Sequence, residues 1–131
     1  MSLSLVTLVV DEYDPAISFF VGVLEFELVE DSPAEASDGR PKRWVVVRPP
    51  GGGAGLLLAK AETDRQRSIV GTQTGGRVAF FLRVDDVEAA YRRFLERGVV
   101  FESAPRREPY GTVAVFRDCA GNRWDLIGGD D

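Results

Sequence analysis

The second half of this sequence repeats the order of elements found in the first half. An offset of 74 positions aligns identical residues, among them Val10 with Val84, Asp11 with Asp85, Ala16 with Ala90, and Phe20 with Phe94. The same offset superposes strand pattern on strand pattern and helical pattern on helical pattern, which chance composition would not produce. The chain is therefore predicted to contain two copies of one structural unit.

The first copy is predicted to run strand, helix and then three strands. Its opening SLSLVTLVV is β-branched and apolar, and it gives way at Asp11 to a helical segment with Asp14 as N-cap and Pro15 in the first turn. Three β-rich runs follow, FELVEDS, KRWVVVRPP and GAGLLLAKA, with SPAEASDGRP and PGGG between them. We predict strands at about residues 2–10, 25–31, 42–48 and 55–60, and a helix at about 14–23.

The second copy follows a polar connector at about residues 62–75. It consists of RVAFFLRV, the helical DDVEAAYRRFLERG, and the runs VVFESAPR, TVAVFRD and NRWDLIG. We predict strands at about 77–84, 99–104, 111–117 and 122–128, and a helix at about 86–97. The predicted fold class is therefore α+β, with tandem βαβββ modules at about 1–61 and 76–131 in one domain of residues 1–131.

Composition and charge narrow the range of partners. The net charge is -5 and no segment gathers Lys and Arg into a stripe, so nucleic acid is not an expected partner. No apolar run approaches the ~20 residues that cross a bilayer, so no membrane partner is expected. The single cysteine, Cys119, has no histidine in the chain to activate it and is predicted to be an inert thiol. A lone thiol suits a reducing compartment, so we expect a cytoplasmic location.

Alternation along the strands predicts which face each side chain occupies. In RVAFFLRV, one row is apolar and suits a covering helix, whereas the opposite row carries Arg77, Ala79, Phe81 and Arg83. Trp124 is expected in the core on the helix side, with Asp125 on the other face. Trp44 can be read in either register, as a core residue or as a stacking platform.

Four stretches carry a family resemblance: DEYDPAISFFVGVLEFELVED, RWVVVRPPG, GGRVAFFLRVDD, and the closing EPYGTVAVFRDCAGNRWDLI. Together they resemble the glyoxalase/bleomycin-resistance/dioxygenase (vicinal oxygen chelate) superfamily, over nearly the whole chain. The resemblance implies that each module forms a curved mixed sheet. It also implies that two modules pair into a cup, whose concave face holds a ligand and often a divalent metal.

The resemblance places metal ligands on the first and last strands of each module. These positions fall at Leu5, about Leu57, Ala79 and Asp125. Only Asp125 has a ligand-type side chain, and a divalent metal needs several oxygen or nitrogen donors. We therefore expect no metal and no other cofactor, and Asp125 is expected to pair with Arg77, Arg83 or Arg123.

The concave face that the resemblance implies would carry a cationic and partly apolar set of side chains. The candidate ligand-binding residues are Arg77, Phe81, Arg83, Arg123, Asp125 and Trp44, with Thr7 and Val9 opposite. Such a face would suit a small planar or anionic ligand. The alternative for each arginine is an ordinary ion pair with a surface carboxylate.

Three functions stay open at this point. The first is a metal-free small-molecule binding protein that sequesters its ligand, as the resemblance to bleomycin-resistance proteins implies. The second is a metal-independent lyase or isomerase in which Glu108, Tyr110 and Asp125 transfer protons, although Tyr110-Gly111 also reads as a simple turn with Glu108 exposed. The third is an interaction module with a vestigial cup. A homodimer is expected, because relatives of this kind commonly associate through their curved sheets and exposed edges favour being covered.

Overall fold

The protein is described here by a computed structural model that covers residues 1–129. Its internal contacts divide the chain into two compact units, one of Met1–Val70 and one that begins at Gly71. We refer to them as the N-terminal unit and the C-terminal unit. Within the described residues, no helix is both long and apolar enough to span a membrane.

The N-terminal unit contains a four-stranded mixed sheet with two short helices. Strand β1 is the first element of the unit and lies at one edge of the sheet, in the order β1-β4-β3-β2. It runs parallel to β4, and the other neighbours are antiparallel. The elements are β1 (Leu5–Val10), α1 (Tyr13–Ile17) continuing as a π-helical segment (Ser18–Val23), β2 (Glu27–Glu35), β3 (Pro41–Arg48), β4 (Gly55–Lys60) and α2 (Asp64–Ile69).

The C-terminal unit has the same arrangement of strands. The elements are β5 (Val78–Arg83), α3 (Val87–Glu96), β6 (Val100–Phe101), β7 (Arg106–Glu108), β8 (Gly111–Arg117) and β9 (Arg123–Gly128). The order is β5-β9-β8-β6, with β7 also paired to β8, and the first strand again lies parallel to the last. The α+β fold class and the repeated module are confirmed.

The repeated residues occupy equivalent core positions in the two units. Ala16 and Ala90 are both buried, as are Phe20 and Phe94, so the spacing of four that they share sets the buried face of each helix. In the C-terminal unit the ring of Phe94 lies 6.3 Å from that of Phe116. The internal repeat in the sequence therefore reports a repeated pattern of core packing.

The first helix begins differently from the prediction. Glu12 is its N-cap and makes no capping hydrogen bond through its side chain, whereas Asp14 lies inside the first turn. The expectation that Asp14 caps the helix is wrong because its carboxylate is bound elsewhere: Asp14 Oδ1 accepts a hydrogen bond from Arg43 Nη1 at 2.9 Å. Asp14 thus ties α1 to β3.

Two strand boundaries also differ from the prediction. Strand β2 continues to Glu35, through a segment predicted as a loop, because each of its residues from Glu30 onward pairs with β3 out to Pro41. The strand predicted at 99–104 is only the two residues of β6. Pro105 has no N–H to donate, and pairing with β8 resumes after it as β7.

A buried carboxylate organises the turn between β8 and β9. Asp118 Oδ1 accepts hydrogen bonds from the backbone N–H groups of Ala120, Gly121 and Asn122 at 2.9 to 3.0 Å. Asp118 Oδ2 accepts one from the indole N–H of Trp124 at 2.9 Å. Trp124 is buried, which confirms its predicted place in the core. The sequence DCAGNRW therefore encodes a hydrogen-bonded turn anchored on one acidic side chain.

Candidate functional site

Strands β5 and β9 bring several of the predicted residues to one face of the C-terminal sheet. Trp124 and Leu126 point into the core, so the alternating Arg123 and Asp125 lie on the opposite, open face. Phe81 is the strand partner of Asp125. This face carries a cavity of about 460 Å³, which we call the Asp125 pocket. It is lined by Gly76, Arg77, Val78, Phe81, Arg123 and Asp125.

Arg83 lies outside this pocket. It is exposed at the end of β5, two residues beyond Phe81, and it is not among the side chains that line the cavity. Of the six predicted ligand-binding residues, the structure therefore brings four together on the C-terminal sheet: Arg77, Phe81, Arg123 and Asp125.

Arg123 is already engaged by a carboxylate. Its Nε and Nη2 donate to Glu102 at 2.8 and 2.9 Å, and its Nη1 donates to the Gly76 carbonyl at 3.3 Å. This bidentate pairing lowers the pKa of Glu102, chiefly through the hydrogen bonds from Arg123. For Arg123, the alternative of an ordinary ion pair is the one found.

The expectation that Asp125 pairs with an arginine is wrong for the described residues. No Arg77, Arg83 or Arg123 nitrogen lies within 4.0 Å of its carboxylate in this part of the chain. Partial burial raises the pKa of Asp125, while the more distant charges of Arg106 and Arg123 lower it. Arg123 is instead bound to Glu102, which directly follows β6.

The remaining proton-transfer candidates lie around Arg106. Pro109 and Tyr110 form the turn between β7 and β8, as the simpler interpretation predicted, and Tyr110 is exposed. Glu108 is half-buried rather than exposed, because Arg106 Nε donates to it at 2.7 Å. The hydrogen bond to Glu108 is the main cause that raises the pKa of Arg106, and the charges of Glu108, Tyr110 and Asp125 act in the same direction. An arginine thus stands among the three candidates.

The N-terminal unit has its own cavity, of about 380 Å³, which we call the Trp44 pocket. Its floor is the sheet face turned away from α1, where Thr7, Val9, Leu57 and Ala59 contribute small or apolar side chains. Trp44 lies on the same face and leaves 38% of its surface exposed. The register question is thereby resolved: Trp44 alternates with the buried Val45 and lines a pocket.

Two polar rims flank the Trp44 pocket. One is the tip of the β2–β3 hairpin, which contributes Ala36, Ser37 and Arg40. The other is the start of α2, where the Thr63 side chain caps the helix by accepting from Gln66 N at 3.1 Å. An ion pair of 3.2 Å between Arg40 Nη1 and Glu62 Oε2 joins the two rims. These rims could not be predicted from the sequence, since they depend on pairing between distant segments.

The donor set that a metal centre of the resembling family would need does not fit these residues. Leu5, Leu57 and Ala79 offer no donor atom, which leaves Asp125 alone. Among the described residues, no group of three or more His, Cys, Asp or Glu side chains is placed to hold a metal ion. The chemistry of the two pockets has to be derived from their own charged, aromatic and apolar side chains.

Comparison with known proteins gives a consistent set of relatives. The family model described as Glyoxalase/Bleomycin resistance protein/Dioxygenase superfamily matches residues 2–126. An uncharacterised protein of Shewanella frigidimarina is 48% identical over 123 residues, which cover 93% of this chain and 89% of that protein. The protein YurT of Bacillus subtilis, also uncharacterised, is 30% identical and covers 97% of this chain and 98% of its own length.

Solved structures resemble the fold over nearly its full length. The crystal structure of UcmS2 has a TM-score of 0.80 with 29% identity and 97% of each chain covered. The crystal structure of TnmS3, an antibiotic binding protein from Streptomyces sp. CB03234, has a TM-score of 0.78 with 30% identity. That comparison covers 99% of this chain and 97% of TnmS3.

Proposed function

Since this chain belongs to the Glyoxalase/Bleomycin resistance protein/Dioxygenase superfamily, we propose that it binds a small planar molecule without turnover and without a metal. In this proposal the Trp44 pocket holds the ligand and the protein acts by sequestering it. The observation that carries the proposal is the partly exposed indole of Trp44 above an apolar floor, inside a cavity of about 380 Å³. The similarity to TnmS3, an antibiotic binding protein, supports it.

The physical basis is the surface that a planar ligand would cover. Cavities of about 300 to 1,000 Å³ suit small molecules. A flat ring placed on Trp44 would also cover Val9 and Leu57, and each Å² of apolar surface removed from water contributes about 25 cal/mol. Ring stacking adds roughly 0.5 to 1.5 kcal/mol. The polar rims would fix the orientation of the ligand.

Binding is favoured over the other two functions by specific contacts. Glu108 is ion-paired with Arg106, and Tyr110 is exposed in a turn, which favours a structural role for both residues. A vestigial cup would be filled by bulky side chains, whereas the Trp44 pocket is floored by Thr7, Leu57 and Ala59. The proposal includes a cytoplasmic location, because Cys119 is exposed and is the single cysteine of the sequence, which suits a reducing compartment.

A second candidate function rests on Asp125. Its carboxylate has a raised pKa, lies in a pocket with Phe81 and Arg77, and makes no ion pair with the described residues. Raised carboxyl pKa values are a feature of general acids and bases. An enzyme of the lyase or isomerase type would use this pocket, and its turnover would be lost in Asp125→Asn.

The test of the main proposal is a binding titration with flat aromatic probes. Isothermal titration with 2-naphthol and 2-naphthoate should give saturable binding of one probe per chain, with no product detected by chromatography. Trp44→Ala should weaken binding of the better probe at least tenfold, and Trp44→Phe should restore most of it, because a ring is still present.

The matched control for loss of exposed apolar surface is Leu95→Ala. Leu95 is exposed on α3 and lines neither pocket, so this variant should bind as the parent does. Unchanged binding in Trp44→Ala, or no saturable binding of either probe, would rule out the Trp44 pocket as the ligand site. Turnover that depends on Asp125 would favour the second candidate.

A further inference from the structure

We propose that the ligand of the Trp44 pocket is an aromatic molecule with one anionic group, and that Lys42 is the side chain that selects the anion. This inference rests on the function proposed above, since it assigns a ligand class to the same pocket. It derives from the pairing state of the charged side chains around the cavity.

Four cationic side chains line the Trp44 pocket, and three are bound to carboxylates. Arg40 pairs with Asp38 at 2.6 Å and with Glu62 at 3.2 Å. The other two pairings are those of Arg43, with Asp31 at 2.7 Å and Asp14 at 2.9 Å, and of Lys60, with Glu12 at 3.4 Å. These three cations are neutralised within the protein, so an incoming anion would have to displace an existing partner.

Lys42 is the fourth cation, and it differs from the others. Among the residues that the structure describes, no carboxylate oxygen lies within 4.0 Å of its ammonium group. Its cross-strand neighbour on β2 is Ala34, and the next neighbour on that face, opposite Trp44, is Ser32. Neither neighbour carries a charge. The ammonium is therefore available to a ligand without breaking an ion pair.

The spacing of Lys42 and Trp44 places them side by side. They are two residues apart on β3, so both side chains lie on the face that forms the pocket. A ring stacked on the indole would carry a substituent at its edge toward the ammonium. The carboxylates on the rims, such as Glu62, disfavour a second negative charge on the ligand. An aromatic monoanion would stack on Trp44, pair with Lys42 and carry no second charge to be repelled by the rim carboxylates.

The experiment uses three probes of one shape and different charge: 2-naphthoate, 2-naphthalenemethanol and 2-naphthylmethylammonium. Dissociation constants are measured by isothermal titration on the full chain. We expect the carboxylate to bind about tenfold more tightly than the alcohol, and the ammonium to bind most weakly. The preference should shrink as salt is raised, because one partner is a partly solvated charge.

Lys42→Gln should remove the preference for the anion and leave the dissociation constant of the alcohol unchanged. Arg65→Gln is the matched control, because it removes one positive charge from the exposed surface of α2 without touching the cavity. Arg65→Gln should keep the full preference. Circular dichroism of each variant verifies that it is folded.

The outcomes separate this inference from the function it rests on. Equal binding of the carboxylate and the alcohol by the parent protein would overturn the role of Lys42 and leave ligand binding by Trp44 standing. Equal loss of preference in Lys42→Gln and Arg65→Gln would also overturn it, since the effect would then be that of net charge. Absence of binding by all three probes would overturn both proposals.

Discussion

Replacing Asp118 tests whether one buried carboxylate holds the β8–β9 turn together. Five donors converge on this side chain, of which the Asn122 backbone N–H, the Asn122 side-chain amide and the Trp124 indole N–H are buried. The other two, from Ala120 and Gly121, are only partly buried and can reach water. Asp118→Ala would remove the acceptor of these three buried donors.

The size of the effect follows from that count. An unsatisfied buried donor costs about 1 to 3 kcal/mol, so three of them amount to a loss of about 6 kcal/mol. For a chain of this length, the melting temperature should fall by about 20 °C. Asp118→Asn keeps an oxygen for the backbone donors but turns an NH₂ group toward the Trp124 indole and the Asn122 side-chain amide, so we expect a smaller loss of about 4 kcal/mol.

The assay is urea unfolding followed by far-ultraviolet circular dichroism and by tryptophan fluorescence. Asp86→Ala is the control, because Asp86 is exposed and its side chain accepts a single bond from Ala89 N, at the N-cap of α3. Loss of such a cap costs about 1 kcal/mol. If Asp118→Ala destabilises the protein no more than Asp86→Ala does, the turn is held by its backbone geometry and not by the carboxylate.

Four further predictions concern other parts of the molecule. Glu25 has a φ of 69° after the π-helical segment, so Glu25→Gly should raise the free energy of unfolding by about 0.5 to 1 kcal/mol in urea titrations, and a lower value would contradict this. Because Arg123 lowers the pKa of Glu102, the stabilisation from that carboxylate is present above its unfolded-state pKa and is lost as pH falls through its lowered folded-state pKa. Glu102→Gln should therefore flatten the loss of stability between about pH 5 and about pH 3, and an unchanged slope would refute the assignment. We expect sedimentation equilibrium to return twice the chain mass of 14.4 kDa, as the homodimer proposal requires, and a monomer at all concentrations would exclude it. Added zinc, nickel or manganese should leave the melting temperature unchanged, since Leu5, Leu57 and Ala79 supply no donors, whereas a rise of several degrees that Asp125→Ala abolishes would contradict the metal-free proposal.

The order of elements was predictable because it depends on local patterns. Apolar alternation in RVAFFLRV and the spacing of Ala90 and Phe94 specify a strand and then a helix without reference to the rest of the chain. The repeat then specifies the same for Ala16 and Phe20. The fold class followed from these two observations.

The extension of β2 was not predictable from local pattern. Pro33 and the acidic residues around it disfavour a strand by propensity. The order β1-β4-β3-β2 explains the outcome, since β2 lies at the edge of the sheet, where a proline leaves no ladder bond unmade on its free side. Its contacts with β3, such as the ion pair of Asp31 with Arg43, lie 12 residues apart in sequence.

The candidate site divides along the same line. Alternation assigns a face to each residue, and it placed Asp125 opposite Trp124 and left Trp44 open to a surface role. It says nothing about partners, which decide whether a charge is available to a ligand. Arg123 is bound to Glu102, 21 residues away in sequence, so an anionic ligand would have to displace that carboxylate. Lys42, which no motif marks, has only Ala34 across the strand. The free energy of binding an anion depends on whether the cation must first leave another carboxylate. Whether a cation is already ion-paired therefore distinguishes Lys42 from Arg123. That pairing is fixed by the register of the strands, which local sequence patterns do not specify.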